Sequence, residues 1–146
     1  MEQLVIYEGL YGLNAMDSTV NKDCSIIIVA NSTEIIEITV DDYDMDCDEH
    51  ESYLKFFDGW IHNNDEIWPN EDDHQKKRRE NRYQSFCNQK DKPIRSQQNI
   101  VQIFYRIKQS GRVFRLRAKF IETPERKFCE KILFFKVKND NFFYKK

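Results

Sequence analysis

The chain has 146 residues, of which 40% are hydrophobic, 14% aromatic and 33% charged, with a formal net charge of −2. That length predicts one domain with a real core, and that apolar content excludes a disordered chain. With only four Gly and three Ala (Ala15, Ala30 and Ala118), the composition also argues against a βαβ nucleotide fold, which uses both for tight turns and close helix packing.

In chain order, "EQLVIYEGLYGL" is apolar and β-branched at its start and predicts a first strand ending near Gly12. "CSIIIVA" predicts a second strand, "NS" a tight turn and "TEIIEITV" a third strand, which together make a hairpin. The next stretch, "DDYDMDCDEHE" at 41–51, holds seven carboxylates. Asp42, Asp44 and Asp46 alternate as in an EF-hand, but Cys47 and Tyr53 stand where that loop requires Gly and Glu. The stretch therefore reads as a solvated or partner-facing loop rather than a calcium site. "HESYLKFFDGWIHN" places Leu54, Phe57 and Ile61 at i, i+3 and i+7. This spacing predicts one main helix, capped by Asp48 or Ser52, with Trp60 sealing it onto the strands.

Residues 63–99 are polar, with room for a short helix near "HQKKRRENRYQSFC"; a segment of this kind is functional or disordered. "NIVQIFYRIKQ" and "RVFRLRAKFIE" then alternate with period 2 about an "SG" turn. They predict a half-buried antiparallel hairpin whose outer face gathers Arg106, Lys108, Arg115, Arg117 and Lys119. "KFCEKILFFKVK" fits a strand or a short helix, and the tail carries Phe142, Phe143 and Tyr144. The expected fold is a β-rich α+β domain spanning 1–146. It is a small antiparallel barrel or curved sheet with one main helix, in the strand order of an OB-type barrel.

Charge carries most of the functional reading. Residues 1–75 hold 19 Asp and Glu against two Lys, whereas residues 76–146 hold 21 Lys and Arg against six acids. The run Lys76, Lys77, Arg78, Arg79 and Arg82 lies beside Tyr83, and Phe104 shares its strand face with Arg106. Cations that pair with phosphates and aromatics that stack on bases describe a nucleic-acid surface. Trp68, Phe142, Phe143 and Tyr144, with Asp42, Asp44 and Asp46, are the expected protein-binding residues.

No apolar leader opens the chain, so Cys24, Cys47, Cys87 and Cys129 read as reduced thiols of an intracellular protein, nuclear rather than cytoplasmic. Cys47-x-x-His50 has no second short ligand pair, which argues against zinc, and no catalytic frame is present. No catalytic residue, metal or cofactor is assigned. The expected function is a non-catalytic subunit of a nucleic-acid-associated complex, with other protein subunits and nucleic acid as partners and no membrane contact. The alternative is a protein-interaction factor of viral type whose acidic 41–51 loop docks on a basic partner, without nucleic-acid contact.

Overall fold

The computed structural model describes residues 2–14, 20–43, 52–62, 65–76, 78–87, 92–108 and 113–125. Strands arise wherever β-branched and aromatic residues alternate with polar ones. They are β1 (Glu2–Val5), β2 (Gly9–Asn14), β3 (Cys24–Val29), β4 (Glu34–Tyr43), β5 (Tyr53–Phe57), β6 (Trp60–His62), β7 (Glu66–Trp68), β8 (Tyr83–Ser85), β9 (Ile94–Arg95), β10 (Ile100–Arg106) and β11 (Val113–Glu122). One sheet has the order β1-β3-β10-β5-β8 and the other β2-β11-β4-β9, with β6-β7 as a separate hairpin. All pairings are antiparallel except β1 with β3.

The core lies between the two sheets. Ile26 and Ile28, Leu54 and Phe56, and Val101, Ile103 and Tyr105 enter it from the five-stranded sheet. Ile36, Ile38 and Val40 meet them from β4, and Phe114, Leu116 and Ala118 from β11. Each fully buried aliphatic or aromatic side chain contributes roughly 1.5–3 kcal/mol by removal from water, so this layer holds the sandwich together.

Four sequence expectations are corrected. There is no OB-type barrel or single curved sheet, because two open sheets face each other. The expected main helix is β5 followed by β6. Its residues alternate, with Leu54 and Phe56 buried in the core and Tyr53 and Lys55 half-exposed, and that period-2 burial outcompetes the weaker helical spacing. Gly59 then takes φ +134°, a conformation no helix admits.

Neither predicted hairpin forms. β3 and β4 lie in different sheets, as do β10 and β11. The "NS" connection therefore crosses between layers, the "SG" turn lies outside the described residues, and Arg106 and Arg115 sit on opposite sides of the molecule. The first strand also divides, into β1 at the edge of one sheet and β2 at the edge of the other. Within 63–99 the described residues form β7, β8, β9 and two 3₁₀ turns, Glu71–Asp73 and Arg79–Arg82. "KFCEKILFFKVK" and the C-terminal tail lie outside the described residues.

The cysteines also depart from expectation. Cys24 is a buried free thiol, but Cys87, just after β8, is disulfide-bonded. That bond corrects the reading of four reduced thiols. Alkylation under denaturing, non-reducing conditions should label Cys24 and leave Cys87 unlabelled until a reductant is added, as read by peptide mass.

Gly59 supplies a second test. A Cβ built there would stand 2.4 Å from the Trp68 carbonyl oxygen, so backbone, not a movable side chain, blocks it. Gly59→Ala is expected to lower stability by about 2 kcal/mol or more through clash and positive-φ strain, measured as a drop in the urea midpoint.

Candidate functional site

The outer face of the five-stranded sheet carries an open cleft of about 630 Å³. Strand alternation builds it. Arg106 pairs in register with Tyr53, Phe104 with Lys55 and Lys55 with Ser85, and directly opposed residues share a face. Asp23, just before β3, closes one end, and Glu80 and Tyr83 line the other side. The aromatic floor is continuous with a deeper ring. Fully buried Phe57 lies 4.7 Å from Tyr83 and 6.4 Å from Phe104 between ring centroids, and Tyr83 lies 6.0 Å from Phe104.

The charged end is preorganised. The Tyr53 hydroxyl donates to Asp23 Oδ1 at 2.5 Å, and Arg106 Nε donates to the same oxygen at 2.9 Å. The Tyr53 bond, then the Arg106 guanidinium, hold the Asp23 carboxyl below its usual range. Burial and the Asp23 carboxylate push the Tyr53 phenol well above its usual value. At neutral pH this end is therefore an ionised acid between a neutral phenol and a cation. Arg106 lies 5.9 Å and the Lys55 ammonium 5.3 Å from the Tyr53 ring centroid, within cation–π reach. The cleft thus offers an apolar floor with charge of both signs on its rim.

The segment between β5 and β8 supports this surface from one side. It folds back over the sheet, where the Gln102 side-chain oxygen accepts from the Ile61 amide at 2.9 Å. Its centre is Arg82, wholly buried. Arg82 Nη1 donates to Pro69 O at 2.5 Å, Nη2 to Asn70 O at 3.1 Å and Nε to Lys76 O at 3.1 Å. Beside it lie two further buried titratable groups, Asp58 and His74, with His74 Nε2 3.2 Å from Asp58 Oδ2.

The expected site residues are scattered by the fold. Tyr83, Phe104 and Arg106 meet in the cleft. Arg82 is structural, Lys76 is half-buried beside His74, Arg79 pairs with Asp65 at 3.6 Å, and Arg78 is exposed. Lys108 is exposed just past β10. Arg115, Arg117 and Lys119 lie on the other sheet, where Arg117 Nη2 donates to Asp41 Oδ2 at 2.8 Å. Trp68 is exposed on β7, opposite Trp60, and Trp60 stacks on His62 at 4.8 Å rather than sealing a helix. Asp42 falls on β4, while Lys77, Asp44, Asp46, Phe142, Phe143 and Tyr144 lie outside the described residues.

Sequence reasoning missed Asp23, Tyr53, Lys55, Glu80 and Ser85 as lining residues. The alternation of Tyr53, Lys55 and Phe57 was the available signal. Among the described residues no cluster of His, Cys, Asp or Glu is placed to hold a metal, and no helix is long and apolar enough to cross a membrane.

Comparison with known proteins bears on what such a surface serves. Residues 2–122 match the family described as corticotropin-releasing factor binding protein N-terminal domain. The human corticotropin-releasing factor-binding protein is 36% identical over 98 residues, covering 66% of this chain and 30% of the relative. The sheep protein of the same name is 35% identical over 98 residues, covering 66% of this chain and 29% of the relative. The chain thus spans about 30% of the length of these relatives, which are named as binding proteins. Among solved structures, the full extracellular region of zebrafish Gpr126/Adgrg6 aligns with a TM-score of 0.52 at 12% identity, over 82% of this chain and 14% of that one.

These matches overturn the expected subunit of a nucleic-acid-associated complex, and with it nucleic acid as partner. They also overturn the nuclear, intracellular assignment, against which the Cys87 disulfide stands independently. Physically, the two groups of cations meant to form one phosphate-binding face lie on opposite sheets.

The buried guanidinium generates a test. Arg82→Met should lower stability by about 3 kcal/mol or more, because it removes a wholly buried guanidinium and strands the carbonyls of Pro69, Asn70 and Lys76, the first at a buried hydrogen bond. Arg78→Met, four residues away in the same basic run, should change it by under about 0.5 kcal/mol. Paired chemical denaturation curves give both values.

Proposed function

We propose, from the premise that this chain belongs to the corticotropin-releasing factor binding protein N-terminal domain family, that it is a non-enzymatic peptide-binding module acting outside the cell. The family match over 2–122 carries this reading. The ligand class follows from the relatives' name: a peptide of the corticotropin-releasing factor kind. The disulfide at Cys87 supports an oxidising compartment.

The cleft on the five-stranded sheet is the surface best suited to a peptide. Tyr83 and Phe104 offer partly exposed rings on a floor fixed by Phe57, and such rigid aromatics are the usual anchors of an interface. Arg106 is already oriented by Asp23, so little side-chain freedom is lost when a ligand carboxylate approaches. Lys55 and Glu80 sit across the rim and select a peptide with charges of both signs beside an apolar side chain.

Fluorescence anisotropy of labelled corticotropin-releasing factor with the purified chain tests this. Saturable binding is expected. Phe104→Ala or Tyr83→Ala should weaken it by roughly tenfold or more, the loss of an anchor worth about 1.4 kcal/mol or above. Lys119→Glu, on the opposite sheet, should leave affinity within about twofold, as a charge far from the contact does. Absence of saturable binding by the wild type, or equal loss in all three variants, would reject the assignment.

A further inference from the structure

The segment that supports the cleft contains a buried titratable pair that peptide binding does not use. His74 and Asp58 are both almost fully buried, with His74 Nε2 3.2 Å from Asp58 Oδ2. The direction is imperfect for a hydrogen bond, and Nε2 has no other partner. The opposite ring nitrogen decides the protonation state. His74 Nδ1 accepts the Lys76 amide at 2.9 Å, so it bears no proton, and the neutral ring carries its hydrogen on Nε2, towards Asp58. Asp58 is fixed on its other side, where Oδ1 accepts the Gln97 amide at 3.1 Å, and its own amide donates to Arg82 O at 3.0 Å.

We propose that His74 is an acid-operated latch: protonation of its Nδ1 releases the 58–82 segment and with it the cleft wall formed by Glu80 and Tyr83. A proton on Nδ1 removes the acceptor of the Lys76 amide. It also places a second cation beside buried Arg82, whose guanidinium holds the Pro69, Asn70 and Lys76 carbonyls. Tyr83 follows Arg82 directly and pairs with Phe57, so loosening at Arg82 reaches the aromatic floor within one residue. This inference rests on the peptide-binding reading only for its functional consequence, which is release of ligand on acidification.

The charged groups around the ring set the sign. Burial, then the Arg82 charge, hold the imidazole below its usual value, while Asp58 pulls it upward. Lys76 faces Asp58, and Glu71 acts on Arg82. A histidine lowered in the fold takes its proton first in the unfolded chain. Stability is therefore intact above about pH 6.5 and falls as pH drops from there through the folded value. Asp58 works the other way. Burial raises its carboxyl, so its protonation in the fold damps the response at lower pH. The latch is read between pH 7.4 and pH 5.

Hydrogen exchange over 58–82, with peptide affinity in parallel, tests the latch in the wild type and in His74→Gln, which keeps a donor but cannot titrate. Trp60 emission is a poor readout, because His62 stacks on that ring. Once each rate is divided by the intrinsic, base-catalysed rate at its pH, the wild type should lose at least tenfold in protection over this segment at pH 5 relative to pH 7.4, reversibly, and lose at least tenfold in affinity; His74→Gln should do neither. An equal response in the variant, or none in the wild type, overturns the proposal. If exchange responds as stated but no peptide binds at either pH, the latch stands and the peptide-binding reading fails. Should His74→Gln not fold, histidine-labelled NMR of the wild type decides: an Nε2–H ring titrating below 6.5 supports the latch, and an Nδ1–H ring or a higher midpoint refutes it.

Discussion

One buried guanidinium makes the rest of the site possible. The segment from Asp58 to Arg82 leaves the sheet, turns through a short hairpin and two 3₁₀ turns, and returns as β8. Such an excursion takes backbone carbonyls out of the sheet ladder and partly out of water, where each needs a donor. A guanidinium offers five donors in a fixed plane, and Arg82 delivers them to three carbonyls drawn from 13 residues to 6 residues upstream. The excursion is thereby tied to its own exit point. Tyr83 leaves that tie pointing at Phe57 and Phe104, so the aromatic floor inherits its position from a residue that never reaches the surface.

The split of charge along the chain becomes a pairing rule in the fold. Asp23 meets Arg106, Glu37 meets Arg95, Asp41 meets Arg117 and Asp65 meets Arg79. In each pair the acid comes from the first 75 residues and the base from the remainder. Exposed pairs of this type are worth about 0–1 kcal/mol each, so they add little stability. Across the β4–β11 ladder Lys119 stands directly opposite Glu37, a favourable cross-strand pair. Among the described residues, part of the charge asymmetry that resembled a polyanion-binding surface is thus one half of the chain facing the other.

Period-2 alternation was legible over 100–107 and 113–121, and the core members Val101, Ile103, Tyr105, Leu116 and Phe114 follow from it directly. What alternation cannot specify is the partner. It assigns each residue a face, and two consecutive strands fit a hairpin or two opposed sheets equally well. Turn-like "NS" and "SG" dipeptides suggested hairpins, but β3 finds β10 and β4 finds β11 across most of the chain. The segment 52–61 failed for a different reason. Leu54, Phe57 and Ile61 satisfy a helical spacing by coincidence, because Phe57 is buried outside the core, under the cleft. Arg82 was unreadable for a third reason: in a run of five cations, nothing local separates the one that is desolvated from those that are not.

The N-terminal segment supplies β1 to the edge of one sheet and β2 to the edge of the other. Its pairing schedule has a kinetic meaning. β2 registers against β11, with Asn14 opposite Val113 and Gly9 opposite Ala118, so β2 must await a strand made about a hundred residues later. Contacts this distant in sequence make for slow folding, because loop closure precedes any reward. Until then Leu10, which stays largely exposed even in the finished domain, belongs to an unpaired strand, whereas Leu4 waits only for Ile27 of β3. The two halves of this segment therefore fold on different schedules: β1 needs only the nearby β3, whereas β2 waits for a strand far along the sequence.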